Sequence, residues 1–218
     1  MAVTGFATQA QVKFGAHAGI NAASATFKET SGGQTTTYKY DSKIGLTIGV
    51  VAEIAIADAL AFRPELNFTQ KGGKYSDSQS GFSIENTIST NYLEMPLNVL
   101  YKFEAGGGNI FVGAGPSIGF GLSGKDKYKS TFGSNTTEDK TNVKFDGKAN
   151  ATDNDTHLKA LDFGANFLAG YQLSNNLFFK ASYTIGLSNI SPETDFSVKN
   201  KGFGFTVGYM FGGSNSED

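Results

Sequence analysis

Apolar and polar residues alternate one by one along most of the chain, and the alternation recurs in eight separate runs. Successive side chains of a β-strand point to opposite faces, so a period of two predicts strands that separate two different environments. In the second run Ile44, Leu46 and Ile48 fall on one face, whereas Gly45 and Gly49 fall on the other. The predicted strands occupy residues 11–27, 43–57, 60–75, 90–103, 109–123, 158–173, 177–187 and 201–211.

The connections between the predicted strands alternate in length. Short turns follow the second, fourth and sixth strands, whereas the other connections are long and rich in polar residues. Alternate connections of a meander lie at the same end, and an even number of strands can close into an up-and-down barrel with tight turns at one end. We expect the long loops at residues 28–42, 76–89, 124–157 and 188–200.

Two kinds of barrel fit this pattern. A soluble lipocalin-like carrier turns its apolar stripe inward around a lipophilic ligand, whereas a membrane barrel turns the stripe outward. The polar stripe is rich in glycine, including Gly113, Gly115 and Gly119, and small residues suit a crowded interior better than a solvent-facing strand. The favoured fold class is all-β, an eight-stranded antiparallel up-and-down transmembrane β-barrel with short periplasmic turns and long extracellular loops, and the soluble carrier is the alternative.

Aromatic residues on the apolar stripe cluster beside the short turns. Membrane barrels carry such girdles where the hydrocarbon core meets the polar interface. The predicted interfacial girdle contains Phe62, Tyr101, Tyr171, Phe179, Tyr209 and Phe211.

Charged residues on the polar stripe would face the interior of a membrane barrel. A lone charge is unfavourable in a low-dielectric interior, so we expect these residues to pair. Glu53 precedes the first short turn by about as many residues as Arg63 follows it, which places the two at similar height. A paired network would fill so narrow a lumen, which predicts a non-conducting barrel, with a narrow channel or ligand-passing barrel as the alternative. The predicted network contains Lys13, Glu53, Arg63, Glu65, Glu94, Asp162 and Lys180.

The composition argues against several functional classes. The 218 residues carry 18 basic and 20 acidic side chains, a balance that offers no basic surface for nucleic acid. There is no cysteine, and two histidines leave little for imidazole catalysis, so we predict no enzyme activity, no cofactor and no metal site. His17 is interpreted as a hydrogen-bonding residue of the lumen. For residues 153–157, which end on His157, a solvated loop is favoured over a calcium contact.

The barrel is predicted at residues 11–211. Residues 1–10 lack the basic start and apolar run of a signal peptide, and Ala7-Thr8-Gln9-Ala10 is typical of a cleavage region. We interpret residues 1–10 as the remnant of a removed signal peptide or an added expression sequence, although an ordinary flexible terminus explains them equally well. Residues 212–218 are interpreted as a polar C-terminal tail.

Several short motifs resemble those of a known family. They are Phe14-Gly15-x-x-x-Gly19-x-Asn21, Tyr92-Leu93-Glu94-Met95-Pro96-Leu97, Gly113-x-Gly115-Pro116, Asp162-Phe163-Gly164 and Gly170-Tyr171. Across nearly the whole barrel the chain resembles the PorT-like outer-membrane β-barrel family of Bacteroidetes. The resemblance implies a small barrel of the bacterial outer membrane. One branch of that family is linked to protein secretion, but no residue of this chain identifies that branch.

The expected partners follow from this location. They are outer-membrane lipid and lipopolysaccharide and, through the long loops, an extracellular ligand or an envelope protein complex. The basic run at residues 125–129 is interpreted as a solvated face, with lipopolysaccharide phosphate as the alternative contact. We expect no nucleic acid partner.

Overall fold

The structure is a computed structural model and describes residues 12–149 and 152–211. The predicted end segments, residues 1–10 and 212–218, lie outside the described residues. All regular structure in the described part of the chain is β, and none of it is a helix with the length and apolar composition needed to cross a membrane. The strands are β1 (Val12–Ser31), β2 (Gln34–Lys39), β3 (Asp41–Ala57), β4 (Leu60–Gln79), β5 (Phe82–Ala105), β6 (Gly108–Phe132), β7 (Asn135–Lys144), β8 (Thr156–His157), β9 (Leu161–Leu173), β10 (Leu177–Gly186) and β11 (Phe196–Phe211).

Eight of these strands pair antiparallel in a closed cycle. The order is β1, β3, β4, β5, β6, β9, β10 and β11, and β11 pairs back to β1 from Phe14↔Phe211 to Glu29↔Phe196. Each of the eight predicted runs coincides with one strand of this ring. The other three strands lie outside the cycle, because β2 pairs with β1, β7 with β6, and β8 runs parallel to β7.

The predicted long loops are mostly strand, which corrects the sequence-based boundaries. β4 and β5 stay paired to Gln79↔Phe82, so only two residues remain between them. β1 likewise continues into β2 through Gly32 and Gly33, both at positive φ as a tight hairpin turn requires. These segments show no sustained apolar alternation because most of their residues are polar. Strand pairing therefore continues well past the apolar band, and residues 124–144 form a hairpin of the same kind.

The two faces of the ring differ sharply in chemistry. Large apolar side chains point outward and are exposed, with Phe14 at 61%, Ile44 at 63% and Ile48 at 60%. Inward-facing Arg63 and Glu65 are 0% and 3% exposed. A water-soluble protein buries the first group and exposes the second, so the outer surface of this ring suits an apolar solvent.

Candidate functional site

The interior of the ring is organised along strand β4. Every second residue of β4 points inward, and these residues rise from the end with short turns toward the end with long hairpins. They are Arg63, Glu65, Asn67, Thr69 and Lys71, and none is more than 8% exposed. The three charged residues, Arg63, Glu65 and Lys71, each belong to a separate group of ion pairs, and we call these groups the lowest, middle and upper levels.

The lowest level joins three strands near the short turns. The Arg63 guanidinium forms an ion pair with the Glu53 carboxylate, and Lys102 Nζ lies 2.5 Å from the same carboxylate. The guanidinium carbon also lies 4.5 Å from the ring centroid of Phe111 and 5.4 Å from that of Phe178. Arg63 is thus held both by charge and by aromatic faces.

An apolar cluster surrounds this level inside the ring. Leu100, Phe111 and Met210 have no exposed surface, and Phe178 is 1% exposed. The rings of Phe111 and Phe178 meet edge to face at 6.5 Å. These side chains occupy the cross-section of the ring, as expected for an eight-stranded interior just wide enough for side chains. The complete cluster is Val51, Ala61, Leu100, Phe111, Leu168, Phe178 and Met210.

The middle level is a buried pair between opposite sides of the ring. Lys180 Nζ lies 2.6 Å and 2.5 Å from the two carboxylate oxygens of Glu65. Asn67 Nδ2 donates to Glu65 at 3.1 Å, and His17 Nε2 lies 3.5 Å away. Because both partners are almost without solvent contact, the carboxylate depends on these groups for its stabilisation.

The upper level is a triad of one base and two acids. Lys71 Nζ lies 2.6 Å from Glu94 and 3.5 Å from Asp162, and it stands 4.7 Å from the ring centroid of Tyr92. Asn200 Nδ2 donates to Asp162 at 2.9 Å. A cavity of about 60 Å³ separates this level from the middle one, which is room for a few water molecules.

Six of the seven predicted network residues therefore lie in three clusters. Lys13 does not join them: it pairs in register with Glu53 but is half-exposed, and no ion pair of Lys13 is found among the described side chains. The sequence reasoning missed Lys71 and Lys102, which supply the cations at two levels. The signal was present, since both continue the inward parity of their strands.

The predicted aromatic girdle lies on the outer face, on the strand segments next to the short turns. Tyr101 is 52% exposed, Tyr209 45% and Phe211 55%, and the rings of Tyr209 and Phe211 are 5.6 Å apart. Tyr171 turns its hydroxyl toward the β5–β6 turn, where it donates to the Ala105 carbonyl oxygen at 2.7 Å. Phe62 and Phe179 share this face, paired in register with Val99 and Tyr171.

A second apolar cluster closes the opposite end of the interior. It is formed where the connections from β8 to β9 and from β10 to β11 cross the ring, with the Lys159 amide donating to the Ile190 carbonyl at 2.7 Å. Phe145 packs edge to face on Tyr92 at 5.3 Å, directly above the triad. We call this cluster the cap. Its buried members are Ala25, Val143, Leu158, Ile190 and Val198.

Beyond the cap, the long hairpins form a cavity of about 490 Å³ that we call the aromatic cup. A hydrogen-bonded chain fixes its wall: Tyr40 Oη donates to Asn86 Oδ1 at 2.9 Å, and Asn86 Nδ2 donates to Asp126 at 2.7 Å. Burial and the nearby Asp126 carboxylate raise the pKa of Tyr40 to about 12. The cup is lined by Phe27, Tyr38, Tyr40, Tyr75, Ile84, Asn86, Ile88, Asp126, Tyr128, His157, Leu158, Phe196 and Val198, among others.

His157 links two points of the long connection that follows β7. Its Nδ1 lies 2.7 Å from Asp146 and its Nε2 lies 2.7 Å from Asp153, and the hydrogen bonds to these carboxylates raise the pKa of the imidazole. The ring is only 5% exposed, whereas the Asp153 side chain in the same loop is 46% exposed. Within residues 12–149 and 152–211, no group of acids and histidines is arranged to hold a metal ion.

Comparison with known proteins identifies the family. The family described as "Outer membrane protein beta-barrel domain" matches residues 7–192. The chain belongs to this family. It is accordingly an outer-membrane protein, as predicted from the outward apolar stripe. The search of curated protein sequences found no significant match to this chain.

Several solved outer-membrane proteins are similar to this chain at low sequence identity. Ail, the attachment invasion locus protein of Yersinia pestis, is 15% identical, with 91% of this chain and 99% of Ail covered at a TM-score of 0.37. Neisserial surface protein A is 14% identical over 92% and 99% of the two chains, with a TM-score of 0.41. AlkL is 15% identical over 100% and 97%, with a TM-score of 0.37. Similarity at this level carries no information on function.

Proposed function

We propose that this protein is a small, non-conducting, non-enzymatic barrel that spans the outer membrane and binds a ligand or an envelope partner through its long hairpins. The ring of eight strands is its transmembrane part, with the short turns in the periplasm and the hairpins outside. The observation that carries the proposal is the filled interior. Arg63, Phe111 and Met210 are 0% exposed at one level, and Tyr92 is 0% exposed at another.

The filled interior favours a closed barrel over a channel for an electrostatic reason. A continuous file of water would solvate unpaired charges, but Glu65 and Lys180 already satisfy each other within 2.6 Å. Glu94 and Lys71 do the same at 2.6 Å in the upper level. Three levels of paired charge, the lowest surrounded by an apolar cluster, therefore lie along the axis of the ring.

The outer hairpins are the part that remains for binding. Within the outer-membrane family, we propose that the chain belongs to the PorT-like family of Bacteroidetes, on the motifs described above. Lipid and lipopolysaccharide surround the apolar band. Lys127 and Lys140 lie beside Glu138 on the exposed β6–β7 hairpin, so basic charge there is partly neutralised.

Conductance in a planar bilayer tests the proposal. The purified wild-type protein should give no steady ion current. The channel alternative, supported by the 60 Å³ cavity in the lumen, predicts reproducible openings instead. In that case Arg63→Ala would change ion selectivity without changing stability, and the closed-lumen proposal would be abandoned.

A further inference from the structure

The inward face of the ring changes its chemistry at the cap. Below the cap it carries the charged residues of the three levels. Above the cap the same inward parity of β4 and β5 continues with Tyr75 and Ile84, while Ile88 packs against the cap itself. This part of the ring lies beyond the outward aliphatic band, so lipid does not account for these apolar residues. An apolar wall in such a position is typical of a ligand cavity.

The aromatic cup has fixed ring faces. Tyr40 packs against Phe27 at 4.3 Å and against Tyr75 at 5.6 Å, and Tyr38 meets Tyr75 edge to face at 6.2 Å. Because the rings support one another and Tyr40 is anchored through its hydroxyl, they present a preformed aromatic surface. The cavity of about 490 Å³ is the size of a small-molecule site.

Among the described residues, the Asp126 carboxylate on the wall of the cup has no cationic partner. It accepts hydrogen bonds from two neutral groups, Asn86 Nδ2 at 2.7 Å and Thr156 Oγ1 at 3.0 Å. Ion pairs occur elsewhere on these hairpins, as between Lys127 and Glu138, but none to Asp126 is found in the described residues. The other charged lining residues are Lys28, Glu29 and His157, whose ring is already held by two carboxylates.

We propose that the aromatic cup binds a small amphipathic amine, with its flat apolar group on the tyrosine rings and its ammonium beside Asp126. Aromatic faces and an unpaired carboxylate together attract an organic cation more strongly than a neutral or anionic molecule of the same shape. A saccharide is less suited, because the hydroxyl of Tyr40 and the amide of Asn86 are already bonded to each other. The inference names the class of ligand for the proposed function. It rests on that function only in placing the cup on the outer side of the membrane.

Tryptamine is a suitable probe because the protein contains nine tyrosines and no tryptophan. Indole emission then reports only the ligand, and energy transfer quenches tyrosine emission when the ligand binds. Titration of the full chain in detergent should show saturable binding. Tryptamine should bind about tenfold more tightly than indole, and indole-3-acetate should bind more weakly still.

Matched variants distinguish the contribution of the aromatic rings to binding from that of the Asp126 charge. Asp126→Asn should weaken tryptamine binding about tenfold and leave indole binding unchanged, whereas Asp139→Asn on the exposed strand β7 should change neither. Tyr75→Ser should weaken both ligands. Tyr183→Ser, which removes an exposed ring from the outer face, should weaken neither.

Three results would overturn the inference: no saturable binding, equal affinity for tryptamine and indole-3-acetate, or full tryptamine affinity in folded Asp126→Asn. Circular dichroism of each variant verifies its strand content. A wild-type protein that binds tryptamine but conducts ions would refute the proposed function and leave the cup intact. A protein that neither conducts nor binds tryptamine would refute the cup alone.

Discussion

Removal of the Lys180 ammonium should destabilise the barrel more than removal of any exposed cation. Lys180→Met keeps the length of the side chain but leaves the Glu65 carboxylate with only Asn67 at 3.1 Å and His17 at 3.5 Å. The side chains of Glu65 and Lys180 are 2% and 4% exposed, so bulk solvent does not reach the pair, and the small lumen cavity that both residues line is the one source of water beside it. Breaking a pair buried to this extent costs about 3–5 kcal/mol.

The assay is guanidinium unfolding of the protein in lipid vesicles, followed by tyrosine fluorescence and circular dichroism. Adding Glu65→Gln to Lys180→Met should recover much of the loss, because the uncompensated charge disappears. Lys74→Met removes one member of an exposed pair, with side chains 46% and 43% exposed, and should leave the transition unchanged.

A comparison within the lumen sharpens the test. Arg63→Met should destabilise the barrel less than Lys180→Met, because Glu53 keeps Lys102 at 2.5 Å. If Lys180→Met and Lys74→Met unfold at the same denaturant concentration, the middle level is solvated. The explanation of the lumen by buried pairing would then be wrong.

Three further predictions concern lipid contact, pH and orientation. Leu97→Arg should lower the free energy of unfolding in vesicles by roughly 2–4 kcal/mol, whereas Thr131→Arg should leave the unfolding transition unchanged. If the two variants are equally stable, Leu97 does not face lipid. The raised pKa of His157 means that its ion pairs with Asp146 and Asp153 stabilise the connection below the ordinary histidine pKa and are lost as pH rises through the raised value. Hydrogen exchange of residues 146–149 and 152–157 should therefore accelerate with pH beyond the intrinsic rate, and this excess should be absent in His157→Gln. In intact cells an impermeant maleimide should label Ser80→Cys, and should label Ser174→Cys only after permeabilisation; the reverse pattern would invert the proposed orientation.

The sequence was most informative where one face of a strand meets an apolar environment. Alternation around Ile44, Leu46 and Ile48 located β3 correctly, because a one-residue shift would bury the wrong face. The same alternation placed Glu65 and Lys180 in the interior. It could not place the ends of the strands, since Ser76 and Asp77 in β4 face polar surroundings on both sides and leave no periodic signal.

Strand register alone did not predict which charged residues of the lumen form ion pairs. Lys13 is directly opposite Glu53 in register, yet Lys102, two strands away from β3, holds that carboxylate at 2.5 Å. Inside a narrow ring, side chains cross the lumen, so the nearest residue in register is not always the partner. Counting the parity of β4 and β5 to their ends would have found Lys71 and Lys102.

The aromatic cup was not predictable from the chain. Its rings come from separate strands, with Phe27 on β1, Tyr75 on β4 and Tyr128 on β6. Each lies in a polar segment where a single aromatic residue carries no pattern. Only the closure of the ring brings them to one cavity.

The central claim is that the apolar stripe faces lipid while the polar stripe faces a closed lumen. Spin labels along β3, introduced at single cysteines because the native chain has none, test both halves in one measurement of collision with oxygen and with a water-soluble nickel complex. The account predicts high oxygen and low nickel accessibility at Leu46, Ile48 and Val50, and low accessibility to both at Thr47 and Val51. High nickel accessibility at Thr47 and Val51 would show an open aqueous channel. High nickel accessibility at Leu46, Ile48 and Val50 would show that the apolar stripe does not face lipid.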